Sequence, residues 1–203
     1  MENIVEPMSD DAAATPASGD ATATLVKGDA AATRARILAA APEAFSKRGY
    51  SEAGMRDIAD TLGLSSTILF RYFGTKAGLF EAALRDALNI DREPPPRAQY
   101  GQFIADWVAN PNLDISPHAM TVLSTGHEEA RAIAARVLQE QTLTPIAEWL
   151  GPPDAEARAR QIIALCSGFA LYMFQLNVSP SRNSIDPAMK TWLAQSVQAV
   201  VDR

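Results

Sequence analysis

The chain has 203 residues, 47% hydrophobic and 21% charged, the balance of a globular protein with enough apolar side chains to build a core. A single cysteine, Cys166, excludes an intramolecular disulfide framework, and the absence of C-x-x-C or clustered Cys/His spacing excludes a zinc finger. The net charge of −6 is unevenly spread: residues 1–30 carry −5, residues 31–92 carry +2 and residues 93–203 carry −3.

The first residues, MENIVEPMSDDAAATPASGD, are acidic where a signal peptide needs a basic start, which predicts a cytoplasmic protein. Residues 1–28 hold few large apolar side chains and are predicted to form a disordered tail. From Asp29, a plausible N-cap, Ile37, Leu38, Ala41, Ala44 and Phe45 recur at helical spacing. Pro42 predicts a bend in that helix, and Gly49 ends it. Three shorter helices are expected at about 55–62, 66–73 and 75–90, separated by Gly63-Leu64-Ser65 and by Gly74. The prolines of DREPPPRAQ, residues 91–99, stop the fourth. Helices continue beyond, with breaks at Asn110-Pro111, Ser116-Pro117, Gly151-Pro152-Pro153 and Ser179-Pro180. The longest nearly apolar stretch, 162–176, is interrupted by Ser167, Gly168 and Gln175 and falls short of the roughly 20 residues of a membrane span. No strand alternation is present, so the fold class is all-α.

The functional signal lies in MRDIADTLGLSSTILFRYF, residues 55–73. Small Ala59 lets a second helix cross closely, Gly63 supplies a positive φ, and Ile58, Leu62, Leu64 and Leu69 lock the crossing angle. Ser65 is placed to cap the second helix, leaving Ser66, Thr67, Phe70 and Arg71 on its open side. This is a helix-turn-helix pattern, whose second helix would enter the major groove of DNA.

The wider window, RARILAAAPEAFSKRGY at 34–50 followed by MRDIADTLGLSSTILFRYFGTKAGLF at 55–80, closely resembles the DNA-binding region of the tetracycline-repressor (TetR) family. The resemblance implies a homodimeric transcriptional regulator, usually a repressor, whose C-terminal domain binds a small effector that lowers affinity for a double-stranded DNA operator. It divides the chain into the tail, a DNA-binding domain at 29–75, a connecting helix at 76–92 and an effector and dimerisation domain at 93–203. Lys76 matches a phosphate-contacting lysine, where a helix N-terminus and an ammonium reinforce each other. Tyr72 matches a backbone-contacting position, and Ser66, Thr67 and Arg71 match base or phosphate readers. Arg71 is the best candidate for base contact, because a guanidinium can reach guanine O6 and N7 together. Arg34 and Arg56 start the first two helices and are candidate phosphate contacts, or simply solvated arginines. Two departures stand out. Gly54 replaces the family's usual hydroxyl cap of helix two, and Phe70 replaces a frequent tyrosine, so it can meet a thymine methyl but cannot hydrogen-bond a phosphate.

In the C-terminal half, residues 156–178 are apolar almost all round from Ile162 onward, whereas residues 185–202 carry one stripe. That stripe, Met189, Trp192, Leu193, Val197 and Val200 among it, suits a four-helix interface between two copies. Phe103, Trp107, Met120, Trp149, Phe169 and Met173 are candidate effector-pocket residues, or ordinary core. His118 and His127 lack a third ligand at helical spacing, so neither a metal nor an enzymatic role is expected, and no cofactor is predicted. Cys166 reads as a small buried hydrophobe. The rival readings are an activator or an effector-independent regulator, and a helical ligand-binding or enzymatic protein that does not read DNA. A positive face built by Arg34, Arg56, Arg71 and Lys76 but broken by Glu52, Asp57 and Asp60 would favour the last.

Overall fold

A computed structural model describes residues 19–89, 93–176, 178 and 185–203, with side chains from residue 29 onward. The described residues are helices and connecting turns without a strand. The all-α reading is correct. The chain divides into two units, Met1–Ala35 and Arg36–Arg203.

Helix α1 is Gly19–Glu52, so helix begins well before Asp29, in a stretch the sequence reading assigned to a disordered tail. The Ala-rich sequence beyond Pro16 holds no proline before Pro42, and alanine is the strongest helix former. Residues 1–18 of the tail lie outside the described residues. In the first unit, Thr33 Oγ1 donates to the Asp29 carbonyl at 2.9 Å. In the second unit the helix runs through Pro42 without dividing, and its geometry breaks at Gly49, with φ 73° and ψ 171°. That region of backbone space is open essentially only to glycine.

Helices α2 (Met55–Thr61), α3 (Ser66–Phe73) and α4 (Lys76–Leu88) follow the expected spans closely. Pro117 starts α6 (Ser116–Ser124), after α5 (Tyr100–Val108), and α7 (Glu128–Leu138) runs on through a π-helical turn, Gln139–Leu143, into α8 (Thr144–Leu150). Helix α9 (Ala155–Ala170) likewise continues into a π-helical turn, Leu171–Gln175, and α10 is Pro187–Val201. The expected break at 179–180 lies outside the described residues.

Two apolar cores organise the second unit. The first joins Ile37, Phe45, Ile58, Leu69, Leu79 and Phe80 to Met120 of α6 and Ile133 and Val137 of α7. Phe45, Tyr50 and Phe80 meet there edge to face or stacked, with Phe45 and Phe80 centroids 5.1 Å apart. Residues beyond 93 thus complete the core on which α2 and α3 are built. The second core joins α5, α8, α9 and α10. Gly101 makes the α5–α10 contact possible, because a Cβ there would collide with the Ala194 carbonyl, and its N–H donates to Gln198 Oε1 at 3.0 Å.

Arg158 is a feature that the sequence did not disclose. It is 4% exposed, and its guanidinium donates to the carbonyls of Val200 (3.0 Å), Val201 (2.7 Å), Gly151 (3.2 Å) and Pro153 (3.1 Å). It therefore satisfies the otherwise orphaned C-terminal carbonyls of α10, where the helix dipole also favours a cation.

Candidate nucleic-acid interface

The turn between α2 and α3 is built by backbone bonds. Leu64 N–H donates to the Ala59 carbonyl at 2.9 Å and Gly63 N–H to the Asp60 carbonyl at 3.1 Å, while Gly63 takes φ +67°. This is a Schellman ending of α2 with glycine at its left-handed position. Ala59 is fully buried, as a close crossing requires. Leu69 pins α3 from below with no exposure, so the opposite face of α3 is turned outward.

On that face Thr67, Phe70 and Arg71 are exposed, and Phe70 keeps 48% of its surface open. An apolar ring left that open is available to a partner. Ser66 is half-buried, and Ser65 is exposed at the N-cap of α3. The Ser65 side chain makes no capping hydrogen bond, so the expected capping role is corrected: the backbone turn places the helix start and the hydroxyl is left outward. Gly54 caps α2 by position alone, as its lack of a side chain requires. Arg56 is exposed on α2, and Arg71 lies 5.4 Å from the centroid of the half-buried Tyr72 ring. Arg34 is exposed on the part of α1 that belongs to the first unit.

Lys76 stands at the first residue of α4. Its Nζ donates to the Ser51 carbonyl at 3.1 Å and lies 4.7 Å from the centroid of Tyr50, which holds the ammonium beside the helix N-terminus. Thr75 caps that helix, accepting from Gly78 N–H at 3.0 Å. Gly78 has no room for a Cβ, which would strike the Phe73 carbonyl, so the α3–α4 corner is tight. The sequence reading gave neither residue a role of its own, although a threonine just before a helical run carries the N-cap signal. Of the acidic residues that could break the face, Asp57 is paired with Arg48 at 3.0 Å, while Glu52 and Asp60 are exposed.

Tyr50 fastens the α6–α7 corner to the end of α1. Its hydroxyl donates to Glu129 Oε2 at 2.7 Å and its ring lies 4.6 Å from that of His127. Burial and the Glu129 carboxylate raise the phenol's pKa. His127 caps α7, with Nδ1 accepting from Ala130 N–H at 3.5 Å. Among the described residues no group of three or more His, Cys, Asp or Glu side chains could hold a metal ion. Burial pushes the Cys166 thiol up to about 12, which removes nucleophilic thiolate at neutral pH.

The predicted effector residues divide. Phe103, Trp107, Trp149, Phe169 and Met173 lie in or against the second core. Met120 does not join them: it is buried in the first core, because α6 turns that face toward α1, α4 and α7. The predicted dimer stripe is corrected in the same way. Leu193 and Val197 are buried within the chain's own second core, since α5 uses that face of α10, while Val200 belongs to that core and also borders the outward groove. Met189 is half-buried, and Trp192 is 47% exposed. The outward side of α9 and α10 forms an open groove lined by Gln161, Ala164, Leu165, Ser196, Ala199, Val200 and Arg203. No helix among the described residues is long and apolar enough to cross a membrane.

Comparison with known proteins agrees with this geometry. Residues 37–83 match the family described as bacterial regulatory proteins, tetR family, and residues 100–201 match the tetracyclin repressor-like C-terminal domain. The HTH-type transcriptional activator FasR of Mycolicibacterium smegmatis is 45% identical over 49 residues, which are 24% of this chain and only 22% of FasR. A TetR-family transcriptional regulator from Rhodococcus sp. superposes with a TM-score of 0.62 at 20% identity, covering 81% of this chain and 96% of that one. A second, from Mesorhizobium loti, gives 0.53 at 15% identity over 85% and 95%. The paired helices of the turn, the outward face of α3 and the match of both halves have one explanation: the chain belongs to the TetR family of bacterial transcriptional regulators.

Proposed function

We propose that this regulator acts in the cytoplasm as a homodimeric repressor, released from a palindromic operator when a small apolar or amphipathic effector binds its C-terminal half. The observation that carries the DNA-reading part is the outward face of α3, where Thr67, Phe70 and Arg71 are exposed while Leu69 anchors the helix beneath them. Arg71 is the proposed base reader, Phe70 a proposed thymine-methyl contact, and Ser65, Ser66, Thr67, Tyr72, Arg56 and Lys76 the proposed flanking contacts. Dimerisation is supported by the open side of α9 and α10, where Trp192 and Tyr172 are 47% and 59% exposed. A second copy on that side would space two recognition helices to read a palindrome.

A mobility-shift titration of the protein's own upstream DNA across a salt series tests the reading. Arg71→Ala is expected to weaken specific binding by about 1–3 kcal/mol and relax base preference at one position of each half-site. Lys76→Ala should weaken binding evenly across sequences and lower the salt slope by about 1. Wild-type affinity in both variants would remove the DNA-reading assignment.

Activation is the second reading, favoured by the name of FasR, which is called an activator. That likeness covers 49 residues, 24% of this chain and 22% of FasR. A promoter–reporter fusion measured with and without the protein decides between the two: lower output in its presence means repression.

A further inference from the structure

One side chain receives contacts from three helices. Tyr50, in α1 just past the break at Gly49, is 5% exposed. Its ring centroid lies 6.2 Å from that of Phe45 in α1, 5.3 Å from Phe80 in α4 and 4.6 Å from His127, the N-cap of α7. Lys76 of α4 stands over the same ring, with Nζ 4.7 Å from its centroid. The hydroxyl reaches 79 residues along the chain to Glu129, in the first turn of α7, and donates to Oε2 at 2.7 Å. A ring so enclosed cannot itself grip DNA, so any effect it has on binding passes through Lys76.

Lys76 is the first residue of α4, where the positive end of the helix dipole disfavours a cation. Two neighbours offset this: the Ser51 carbonyl, which accepts from Nζ at 3.1 Å, and the electron-rich face of Tyr50. An ammonium has three N–H donors, so with one on Ser51 and one toward the ring, the third can meet a phosphate oxygen. A flexible lysine stem is thereby held in one place before DNA arrives, which lowers the entropy cost of the contact. The hydroxyl bond strengthens this arrangement. A phenol that donates to a carboxylate gains electron density in its ring, because linked polar contacts polarise one another. The phenol remains a donor at neutral pH, since burial first and then the Glu129 carboxylate raise its pKa. Glu129 therefore fixes Tyr50, and Tyr50 fixes Lys76.

We propose that Tyr50 is a positioning residue for the DNA-phosphate contact of Lys76, and that Glu129 carries the position of the α7 N-terminus into that contact. The α6–α7 corner thereby acts on DNA affinity through one ammonium. A shift that breaks the Tyr50–Glu129 bond loosens the lysine stem and weakens phosphate binding on any sequence. The proposal rests on reading Lys76 as a phosphate contact.

A double-mutant cycle of Tyr50→Phe and Lys76→Met tests it, with full-length protein titrated onto duplex DNA of its own upstream region across a salt series. Phosphate contacts act on any duplex, so the result does not depend on a specific operator. Lys76→Met is expected to lower affinity and reduce the salt slope by about 1. Tyr50→Phe keeps the ring and the net charge; it should lower affinity about threefold when Lys76 is present and not at all in the Lys76→Met background. A merely structural role for the hydroxyl would lower both equally. The chain has four lysines, so ¹³Cε-lysine labelling resolves Lys76, assigned by its loss in Lys76→Met. Its Hε signals should lie upfield of those of the exposed Lys47, shifted by the Tyr50 ring current, and move back toward them in Tyr50→Phe. Where Tyr50→Phe fails to fold, Glu129→Ala is compared with Glu128→Ala, since both remove one exposed carboxylate from the first turn of α7. The first should bind DNA about threefold more weakly than the second. Equal losses in both backgrounds, Tyr50→Phe at wild-type affinity, Glu129→Ala indistinguishable from Glu128→Ala, or unshifted Lys76 signals in the wild type overturns the proposal. Lys76→Met at wild-type affinity and salt slope removes the phosphate contact itself, and the ring-current shift is then left as a structural contact alone.

Discussion

Arg158 and Phe70 are two side chains in environments opposite to their usual ones. Arg158 is buried among four backbone carbonyls, and Phe70 is half open to solvent. Truncating Arg158 strands the carbonyls that end α10 and those of Gly151 and Pro153. Arg158→Ala is therefore expected to cost roughly 3–5 kcal/mol in urea unfolding, and Arg158→Lys less, since an ammonium keeps the charge but reaches fewer acceptors. Phe70→Ala should leave the melting temperature almost unchanged, because an exposed ring contributes little to the core. Its effect should appear instead as a lost preference for thymine at one operator position, read by selection from random DNA. Phe70 could be read from the sequence because its position on the helix-turn-helix is local. Arg158 could not, since its acceptors on α10 lie about forty residues along the chain and one arginine on a helix reads as surface.

At the scale of elements, the helix-turn-helix is specified by short-range chemistry. Gly63→Ala must hold an alanine at φ +67°, with open space around its Cβ, so only backbone strain opposes it. The expected loss is about 1 kcal/mol with the fold retained. Gly78→Ala should lose more, since its Cβ meets the Phe73 carbonyl and the α3–α4 corner must open. Helix α4 is then tied to α7 and to the π-helical turn after it. Glu81 accepts from Arg136 at 2.7 and 2.8 Å and from Arg85 at 2.9 Å, and Arg85 reaches Glu140 at 2.6 Å. The Arg136 guanidinium foremost, with Arg85, holds the Glu81 carboxyl down to about 2, against the opposing effect of burial. A carboxyl lowered in the folded state stabilises above its unfolded value of 4.5, and that contribution fades as pH falls toward about 2. Glu81→Gln should thus lose about 1 kcal/mol at pH 7, solvent screening included, and converge on wild type only as pH falls to about 2 in thermal melts. A constant difference across pH 2–7 would show that packing, not charge, is what Glu81 contributes. The network was unreadable beforehand because Glu81 and Arg136 are distant in sequence, whereas its i,i+4 half, Glu81–Arg85, is a local pair.

At the scale of the whole second unit, two cores share the helices in a way that the linear division did not express. Met120 was grouped with the effector residues on hydrophobicity, yet α6 gives it to the first core; the α6–α7 corner is also the part gripped by Tyr50. Leu193 and Val197 were grouped with an interface on periodicity, yet they are buried in the chain's own second core. The face that remains open on α9 and α10 carries Trp192 and the groove bordered by Leu165, Ala199 and Arg203, and Tyr172 is exposed in the π-helical turn that follows α9. If a second copy docks there, Ala199→Arg should shift the sedimentation coefficient toward that of a monomer and abolish palindrome binding while preserving helical circular dichroism. Dimers that persist in this variant would place the interface elsewhere.

The sequence by itself determined the all-α class, the spans of α2, α3 and α4, the left-handed turn at Gly63 and the outward residues of α3. Each depends on contacts within a few residues: a hydrophobic spacing, a cap, a glycine that alone tolerates positive φ. Only the tertiary structure decided which face of α10 is interior, which core receives Met120 and what surrounds Arg158. A helical stripe announces that a face is to be buried, but the partner that buries it is brought in from far along the chain, and no local pattern carries that information.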